Sequence, residues 1–363
     1  MPKQKPVLFV LLFLALLAVP LAGGGLPDPQ SPLASPGSIR QQLKTALEFP
    51  AAYEKQFGEQ FWQRSRLLTL YYDFLYDALG VRVFPQVLVG LNGWLYYTGE
   101  GNLDDYQCVQ PFQPQELARL RTNLERLNDR LKAQGRSLLV VIAPNKERIY
   151  PEHLPPFIHR SDRPCRFDQL MQAMQDSPVA ILDPRPILLD EKADHPVYYR
   201  TDTHWNERGA FLVYRAMLER MAASGPVLQA WQADQFELRQ ETIRGDLSHL
   251  LLIDPPLSET AETWHPRQPY PAQFLSNQPN GWVASEINGS ALPRAVMFRD
   301  SFANSLIPFL SAHFSRAVYI SSYLAIPYLV EMDIIEQEQA DVVILEVAER
   351  YLARLAEEPS GGW

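Results

Sequence analysis

The sequence predicts an α/β protein, a three-layer α/β/α sandwich with a mostly parallel sheet, preceded by an N-terminal helical segment. Two observations predict this class. Strand-like apolar runs alternate with amphipathic helical patterns along much of the 363-residue chain. In addition, the run at residues 138–143 is apolar on both faces, as expected of a central parallel strand covered by helices on either side. A hydrophobic content of 46% excludes a wholly disordered chain.

The individual elements follow from residue spacing. Apolar residues at helical spacing over 41–79 predict helix, and Asn92-Gly93 between two β-prone runs predicts a hairpin over 87–97. Leucines at 117, 120, 124, 127 and 131 form one helical face, with Pro114 near its start and Gly135 just beyond its end. Further strands are predicted at 138–143, 179–182, 295–298, 317–320 and 341–345, with helices at 207–223, 302–313 and 328–338.

The first 25 residues predict an export segment. Lys3 and Lys5 precede an almost purely apolar run from Val7 to Ala22, which is shorter than the ~20 residues of a membrane-spanning helix. Because no clean Ala-x-Ala site follows, both a cleaved signal peptide and an uncleaved signal anchor fit. Behind it we expect a linker and N-terminal helical segment over 26–85, the α/β domain over 86–356 with a Pro-rich insertion around 225–293, and a frayed tail over 357–363.

Cys108 and Cys165 fit an oxidising compartment. A disulfide between them would close a loop of roughly sixty residues and contribute ~4 kcal/mol in the chain-entropy model. Two unpaired thiols are the alternative. Two cysteines cannot supply a Cys₄ zinc site, and no nucleotide, metal or flavin motif is visible, so neither a cofactor nor a metal is predicted.

The chain is acidic, with 42 Asp and Glu against 33 Lys and Arg and a formal net charge of −9. Binding to nucleic-acid phosphates needs a basic face, so this balance argues against a nucleic-acid partner. It also lacks the polybasic stretch expected of a peripheral protein on anionic lipid.

Asp202 and His204 form the first candidate catalytic segment. Residues two apart point the same way on extended backbone, so the carboxylate can accept the Nδ1 proton of the imidazole. That contact fixes the tautomer and raises the basicity of the ring, as the acid does in a nucleophile–His–acid triad. A hydrogen-bonded buried histidine and a metal ligand are the alternatives for His204, although no third His or Cys lies at a supporting spacing.

Ser301 defines the second segment, since it directly follows an apolar strand and precedes a predicted helix. At such a strand-to-helix turn, free backbone N–H groups and the positive end of the helix dipole can stabilise an oxyanion. The alternative is an ordinary Asp or Ser N-cap.

Together, RTDTHWN at 200–206 and FRDSFANSLIPFL at 298–310 resemble the SGNH-like acyl-transfer domain of the alginate O-acetyltransferase (AlgX/AlgJ-related) family. Five further blocks occur in that family's order, so the resemblance covers roughly residues 49–352. These blocks are FPAAYEKQFGEQFWQRSRL, GLNGWLYY, APNKERIYPEHLP, GDLSHLL and LEVAERYL. The resemblance implies an α/β/α sandwich related to SGNH esterases.

The resemblance also implies residue roles. Ser301 resembles the nucleophile, His204 the general base and Asp202 its orienting acid, and the Ser301 backbone N–H would form part of the oxyanion hole. One departure is Arg299, which stands two residues before the nucleophile where SGNH enzymes commonly have glycine. Candidates for the rest of the oxyanion hole are Gly90, Asn92, Asn145 and Lys146. The residues expected to contact substrate are Arg299, Tyr199, Trp205, Lys146 and Asn145.

Two other groups of residues are interpreted as less relevant to chemistry. His195 follows Asp194 and is a competing histidine for the triad. The cluster after the last predicted strand is interpreted as a structural ion-pair cluster, and it consists of Glu346, Glu349 and Arg350.

These features predict an exported polysaccharide O-acetyltransferase, periplasmic and either soluble or tethered to the inner membrane by its N-terminal segment. The resemblance implies that a membrane-embedded acyltransferase supplies the acetyl group. A carbohydrate esterase with the same triad, and a non-catalytic component of a polysaccharide export complex, are the alternatives. Because the chain is acidic, a polyanionic acceptor would need a local basic groove, for which Arg200, Arg208 and Arg299 are candidates. The charge balance therefore favours a neutral or weakly acidic polysaccharide.

Overall fold

The computed structural model of the protein describes residues 64–223, 225–254, 256–275, 282–321 and 330–357. Residues 64–81 and Leu252–Asp254 belong to one unit, and the other described residues belong to a second, larger unit. The first unit contains helix α1 (Arg64–Asp73), which continues into a π-helical turn at Phe74–Ala78. The predicted export segment, the linker after it and residues 358–363 of the predicted tail lie outside the described residues.

A seven-stranded sheet forms the centre of the second unit, with strand order β4-β3-β11-β9-β10-β8-β7. Two further pairs, β1 with β2 and β5 with β6, are antiparallel. The strands of the described residues are β1 (Val87–Val89), β2 (Leu95–Tyr97), β3 (Ser137–Ala143), β4 (Ala180–Leu182), β5 (Phe236–Ile243), β6 (Glu259–Pro266), β7 (Gln273–Leu275), β8 (Val283–Glu286), β9 (Arg294–Arg299), β10 (Arg316–Ser321) and β11 (Val342–Ala348).

The prediction of a mostly parallel sheet was wrong, because the sheet is mixed. Strands β4, β3, β11, β9 and β10 are parallel, but β8 pairs antiparallel with β10 and β7 pairs antiparallel with β8. The chain between 225 and 293 supplies both of these strands, as well as β5 and β6. The sequence predicts a Pro-rich insertion here and no strands. Antiparallel strands need no crossover helix between them, so the alternation of strand and helix that predicts parallel strands does not reveal them.

Helices cover the central strands. Helix α3 packs on β3 and on α5, whereas α7 packs on β3 and β4 and contacts α6 and α9. Strand β11 is buried along its whole length, as expected of a central strand in an α/β protein. The helices of this unit are α2 (Asn102–Tyr106), α3 (Pro114–Ala133), α4 (Lys146–Ile149), α5 (Arg166–Ala173), α6 (Arg185–Glu191), α7 (Glu207–Ala222), α8 (Asp246–Leu251), α9 (Ile307–Ser311), α10 (Met332–Gln337) and α11 (Leu352–Leu355).

Several local predictions are confirmed. The leucine face of α3 packs into the core with Leu120, Leu124, Leu127 and Leu131 fully buried, and Gln113 and Glu116 form a capping box at its start. The hairpin β1–β2 turns at Leu91–Gly93, where Asn92 takes φ 56°. In contrast, the predicted helix at 302–313 is a 3₁₀ turn at Ser301–Ser305 followed by the short α9, which has Pro308 in its first turn.

Cys108 and Cys165 form a disulfide across 57 positions, with their Cα atoms 4.6 Å apart. The bond ties the segment after α2 to the start of α5. Within the described ranges, no helix is long and apolar enough to cross a membrane.

Candidate active site

Ser301 lies where β9 ends at the carboxyl edge of the sheet, as the first residue of the 3₁₀ turn. The side chain of Asp300 fixes this turn from both sides. Its Oδ1 accepts the Phe302 N–H at 2.9 Å, and its Oδ2 accepts the Ala348 N–H of the neighbouring strand β11 at 2.6 Å. Asp300 is therefore the N-cap, which leaves the Ser301 hydroxyl for other contacts.

Asp202 and His204 lie in the tight loop between Tyr198 and Trp205, which form an antiparallel bridge. His204 Nδ1 lies 2.7 Å from Asp202 Oδ1, and the same carboxylate oxygen accepts the His204 backbone N–H at 3.0 Å. On its other side, His204 Nε2 lies 2.8 Å from Ser301 Oγ. The structure thus brings the three predicted residues together in the order that a nucleophile, a base and an orienting acid require.

The electrostatics of Asp202 favour its ionised form. Burial by itself would raise the pKa of Asp202, but hydrogen bonds to His204 and Asp246 and the charge of His204 outweigh it and lower the pKa to about 2. The side chains of Asp202 and His204 each keep 20% of their surface exposed, so the pair is shielded yet reachable. An ionised carboxylate at Nδ1 keeps the proton on that nitrogen and leaves Nε2 free to accept one.

Asp246 is a second carboxylate at this site that the sequence analysis missed. Its backbone N–H donates to Asp202 Oδ2 at 2.8 Å, and its Oδ1 accepts the Thr203 N–H at 2.7 Å. Its Oδ2 lies 3.8 Å from His204 Nδ1. Burial and the charge of Asp202 raise the pKa of Asp246. The signal that could have found it is the shared block GDLSHLL, in which it is the only acidic residue.

The glycine before Asp246 permits this contact. A Cβ on Gly245 would lie 2.2 Å from the Thr201 carbonyl oxygen and 2.4 Å from the Asp202 nitrogen. Only glycine lets the start of α8 approach the histidine loop so closely.

Two buried charged residues hold the histidine loop. Glu259 accepts the backbone N–H groups of Arg200 and Thr201 at 2.9 and 2.7 Å and the Thr201 hydroxyl at 2.7 Å. Lys146 Nζ donates to the carbonyl oxygens of Tyr199, Arg200 and Asp202 at 3.1, 3.2 and 2.5 Å. Lys146 is only 3% exposed and holds the loop from inside, and its expected contact with substrate stays a prediction.

Trp205 and Arg299 also differ from expectation. Trp205 has no exposed surface, and its Nε1–H donates to the Phe302 carbonyl oxygen and to Ser305 Oγ, both at 3.1 Å. It therefore joins the histidine segment to the serine turn, and it presents no surface to a substrate. Arg299 is 7% exposed, and its Nη1 donates to Asn304 Oδ1 at 2.6 Å and to the Asp300 carbonyl oxygen at 3.1 Å, so it braces the turn.

Tyr199 is the predicted substrate contact that stays partly exposed, in a cleft beside the histidine loop. The three arginines proposed for a basic groove do not form one. Arg208 pairs with Glu191 and Glu262 at 2.9 Å each, Arg200 lies 3.8 Å from Glu259, and Arg299 is buried. Acidic residues thus face two of these cations, and the third is withdrawn from solvent.

The remaining candidates have separate structural positions. Gly90 and Asn92 serve the β1–β2 hairpin: a Cβ on Gly90 would lie 2.4 Å from the His153 carbonyl oxygen, and Asn92 is exposed in the left-handed region. Glu349 pairs with Arg148 at 2.7 Å and Arg350 with Glu100 at 3.4 Å, so these two bind other partners instead of one another. His195 is exposed on the turn after α6, and Asn145 is 1% exposed.

Asp202, His204 and Asp246 could also offer metal ligands, since one atom from each lies within 4.8 Å of the others. A metal there would compete with the Asp202–His204 hydrogen bond. The donor set fits an oriented histidine better than a metal centre, because Nδ1 is already paired and Nε2 faces Ser301.

Fold and site together define a protein of the SGNH hydrolase-like class. Residues 87–312 match the family described as SGNH hydrolase-like domain, acetyltransferase AlgX, and the chain belongs to this family. This match confirms the family that the sequence blocks resemble.

Curated relatives carry related names. The chain is 30% identical over 190 residues to "Probable alginate O-acetylase AlgJ" of Pseudomonas fluorescens, which covers 50% of this chain and 46% of that protein. It is 27% identical over 254 residues to the AlgJ of Pseudomonas aeruginosa, covering 67% of this chain and 59% of that one. The chain thus spans about half the length of the curated relatives it matches. Among solved structures, Bacillus cereus PatB1 shares the fold with a TM-score of 0.54 at 15% identity, over 73% of this chain and 96% of PatB1.

Proposed function

We propose that the chain is an O-acetyltransferase that carries an acetyl group on Ser301 and passes it to a hydroxyl of a polysaccharide. The observation that carries the proposal is the 2.8 Å contact between His204 Nε2 and Ser301 Oγ, with Asp202 on the other ring nitrogen, in a member of an acetyltransferase family. An unreactive serine N-cap would not need a base at its hydroxyl.

The chemistry proceeds in two transfers. His204 Nε2 takes the proton of Ser301 Oγ as that oxygen attacks the acyl carbonyl carbon, and the carbonyl π electrons move onto oxygen. Collapse of the tetrahedral oxyanion expels the donor's leaving group, which takes the proton back from His204. A sugar hydroxyl then attacks the acetyl-serine by the same steps, giving the O-acetyl sugar and free Ser301.

Asp202 orients the base throughout this cycle. Its ionised carboxylate stabilises the imidazolium that forms when His204 holds the proton. The low pKa of Asp202, about 2, keeps this charge in place across the neutral range.

The acceptor proposed here is a neutral or weakly acidic polysaccharide. A polyanionic chain would need unpaired basic side chains near the site. Arg208 is instead bracketed by Glu191 and Glu262, and Arg299 points into the protein. The exposed surface of Tyr199 offers a ring for sugar stacking in the same cleft.

The proposed setting is outside the cytoplasm, with an acyltransferase in the membrane as acetyl donor. The Cys108–Cys165 disulfide supports an oxidising compartment. The apolar run at 7–22 supports export.

The test is an acetyl-transfer assay with 4-nitrophenyl acetate as donor and neutral or uronate oligosaccharides as acceptors. We expect acetylated neutral oligosaccharide, formed faster than free acetate and lost in Ser301→Ala, while the exposed-histidine control His159→Gln keeps the parental rate. Free acetate as the sole product would make the protein an esterase. Equal product from Ser301→Ala and the parent would refute the proposal.

A further inference from the structure

Strand β11 carries one acidic residue, Glu346, in an otherwise apolar sequence. Its side chain has no exposed surface, and β11 lies between two parallel neighbours, β3 and β9. Burying an ionised carboxylate in the centre of a sheet is unfavourable unless the group is paired or takes up a proton. An acid at a position that suits valine or leucine therefore calls for a specific role.

Glu346 contacts the residue before the proposed nucleophile. Its Oε2 accepts the Asp300 backbone N–H at 2.9 Å. The Asp300 side chain is held in turn by the N–H groups of Phe302 and Ala348, at 2.9 and 2.6 Å. Glu346 thus fixes the backbone of Asp300, while the segments on either side fix its carboxylate. Because Ser301 comes next, the contact with Glu346 helps to set the direction in which the chain leaves β9.

Two carboxyl groups, those of Glu346 and Asp300, meet behind the serine turn. Burial raises the pKa of Glu346 well above its usual range, and the Asp300 carboxylate raises it further through its charge and a side-chain hydrogen bond. The Asp300 N–H and the charge of Arg299 act in the opposite direction and are outweighed. Both oxygens of Asp300 already accept N–H groups, so Glu346 is the member of the pair that can carry a proton.

The elements packed on β11 add few other charges around Glu346. Strand β3 and the serine turn at Ser301–Ser305 contain no charged residue. Strand β9 begins with Arg294 and ends with Arg299, directly before Asp300. Arg299 Nη1 donates to the Asp300 carbonyl oxygen and to a side chain of the serine turn. The charge of Asp300 is therefore the main influence on Glu346 besides burial.

We propose that Glu346 is a positioning residue for Ser301 and acts as a neutral carboxylic acid. It accepts the Asp300 N–H and donates its proton to the Asp300 carboxylate. This inference rests on the proposed function, because it concerns the direction of Ser301 Oγ towards His204. Glu346 acts through Asp300 and takes no part in the proton transfer. A displacement of the nucleophile by about 1 Å would slow acylation by about 10²-fold.

Infrared difference spectroscopy of the parent against Glu346→Gln tests the protonation state at pH 7. The parent should show the C=O stretch of a protonated carboxylic acid, and this band should be missing from Glu346→Gln. Absence of the band from the parent would overturn the inference, because Glu346 would then be ionised.

The rate of Ser301 acetylation by 4-nitrophenyl acetate tests the positioning role. Glu346→Gln keeps one acceptor and one donor in place, so it should acylate close to the parental rate. Glu346→Leu removes both and should slow acylation by about 10²-fold with the donor KM unchanged. The matched control is Tyr319→Phe, which breaks a buried hydrogen bond to Ser311 on the neighbouring strand β10. It should lower stability and leave the acylation rate intact.

The pH profile keeps the test decisive if Glu346→Leu fails to fold. Ionisation of Glu346 places two like charges behind the serine turn, so acylation should fall at alkaline pH in the parent but not in Glu346→Gln. Identical profiles, or a folded Glu346→Leu at the parental rate, would overturn the inference. If Ser301→Ala is inactive, such a result removes only the role of Glu346. If Ser301→Ala is itself acetylated, the proposed function fails.

Discussion

His204 Nε2 lies 2.8 Å from Ser301 Oγ although 97 positions separate the two residues in the sequence. A hydrogen bond and aromatic contacts hold the two segments together. Trp205, next to His204, donates its indole N–H to the serine turn, and the Phe302 ring meets both the His204 and Trp205 rings edge-on at 4.8 and 5.0 Å. The aromatic residues that follow His204 and Ser301 therefore help to hold the two segments together.

Asp202→Asn should lower acetyl transfer by about 10⁴-fold, since an amide cannot hold the histidine tautomer as a carboxylate does. His249→Gln, an exposed histidine on α8, serves as a control that keeps the parental rate. A variant rate within tenfold of the parent would contradict the orienting role.

The same substitution changes stability with pH. Because folding lowers the pKa of Asp202 from 3.8 to about 2, the ionised carboxylate stabilises the native state above the unfolded value and loses this effect as pH falls towards 2. We expect about 2 kcal/mol of the free energy of unfolding to disappear over this window in the parent but not in Asp202→Asn. Urea titrations at several acidic pH values measure it, and parallel curves for both proteins would contradict it.

Asp246→Asn should have opposite effects on stability and activity. The pKa of Asp246 is higher in the folded than in the unfolded protein. Its ionisation therefore lowers the free energy of unfolding as the pH rises from the unfolded-state pKa to the folded-state pKa. The amide still accepts the Thr203 N–H but does not ionise. Asp246→Asn should therefore be more stable than the parent at pH 7, by a larger margin than at pH 4. Losing a charge 3.8 Å from His204 should slow transfer roughly five- to tenfold. A variant that is less stable at neutral pH and fully active would refute this.

Trp205→Phe tests whether this residue positions the site or binds substrate. The phenyl ring keeps most of the packing but leaves the Phe302 carbonyl oxygen without its donor, so unfolding should become easier by about 1–3 kcal/mol. We expect kcat to fall with acceptor KM unchanged. Trp231→Phe, which alters a tryptophan packed on Phe236 and Tyr270, should leave kcat intact. A rise in acceptor KM alone would restore Trp205 as a substrate contact.

Replacing Cys108 and Cys165 by alanine should lower the free energy of unfolding by ~4 kcal/mol, the chain-entropy value for a loop of this length. Reduction of the parent protein should give a similar loss. Denaturant unfolding with and without reductant measures both. A loss below about 1 kcal/mol would mean that the bond adds little to the fold.

Residue spacing predicts only the local part of this site, whereas the grouping of Ser301 with His204 came from the family resemblance and the Asp246 contact was missed. Asp202 and His204 are two residues apart, so their pairing follows from strand geometry alone. The hairpin at Asn92-Gly93 and the leucine face of α3 are local in the same sense. By contrast, Asp246 reaches Asp202 across 44 positions through a glycine contact, and no spacing rule reveals it.

Burial also distinguishes three of the predicted substrate contacts from Tyr199. Lys146, Trp205 and Arg299 have side chains that commonly bind ligands, and they stand in blocks shared with the family. In the structure each turns inward to bond the backbone or side chains of the candidate catalytic segments. Composition cannot tell a polar group that meets substrate from one that holds the loop, because both need hydrogen-bond partners.

The most direct test of the central claim is mass spectrometry of the protein. The protein is exposed briefly to an activated acetyl ester, and the reaction is then stopped with acid. We predict one added acetyl group, located on the peptide that contains Ser301 and absent from Ser301→Ala and His204→Ala. It should disappear when a sugar acceptor is added before the quench. Acetylation on another residue, or a Ser301 acetyl that forms equally well without His204, would contradict the account.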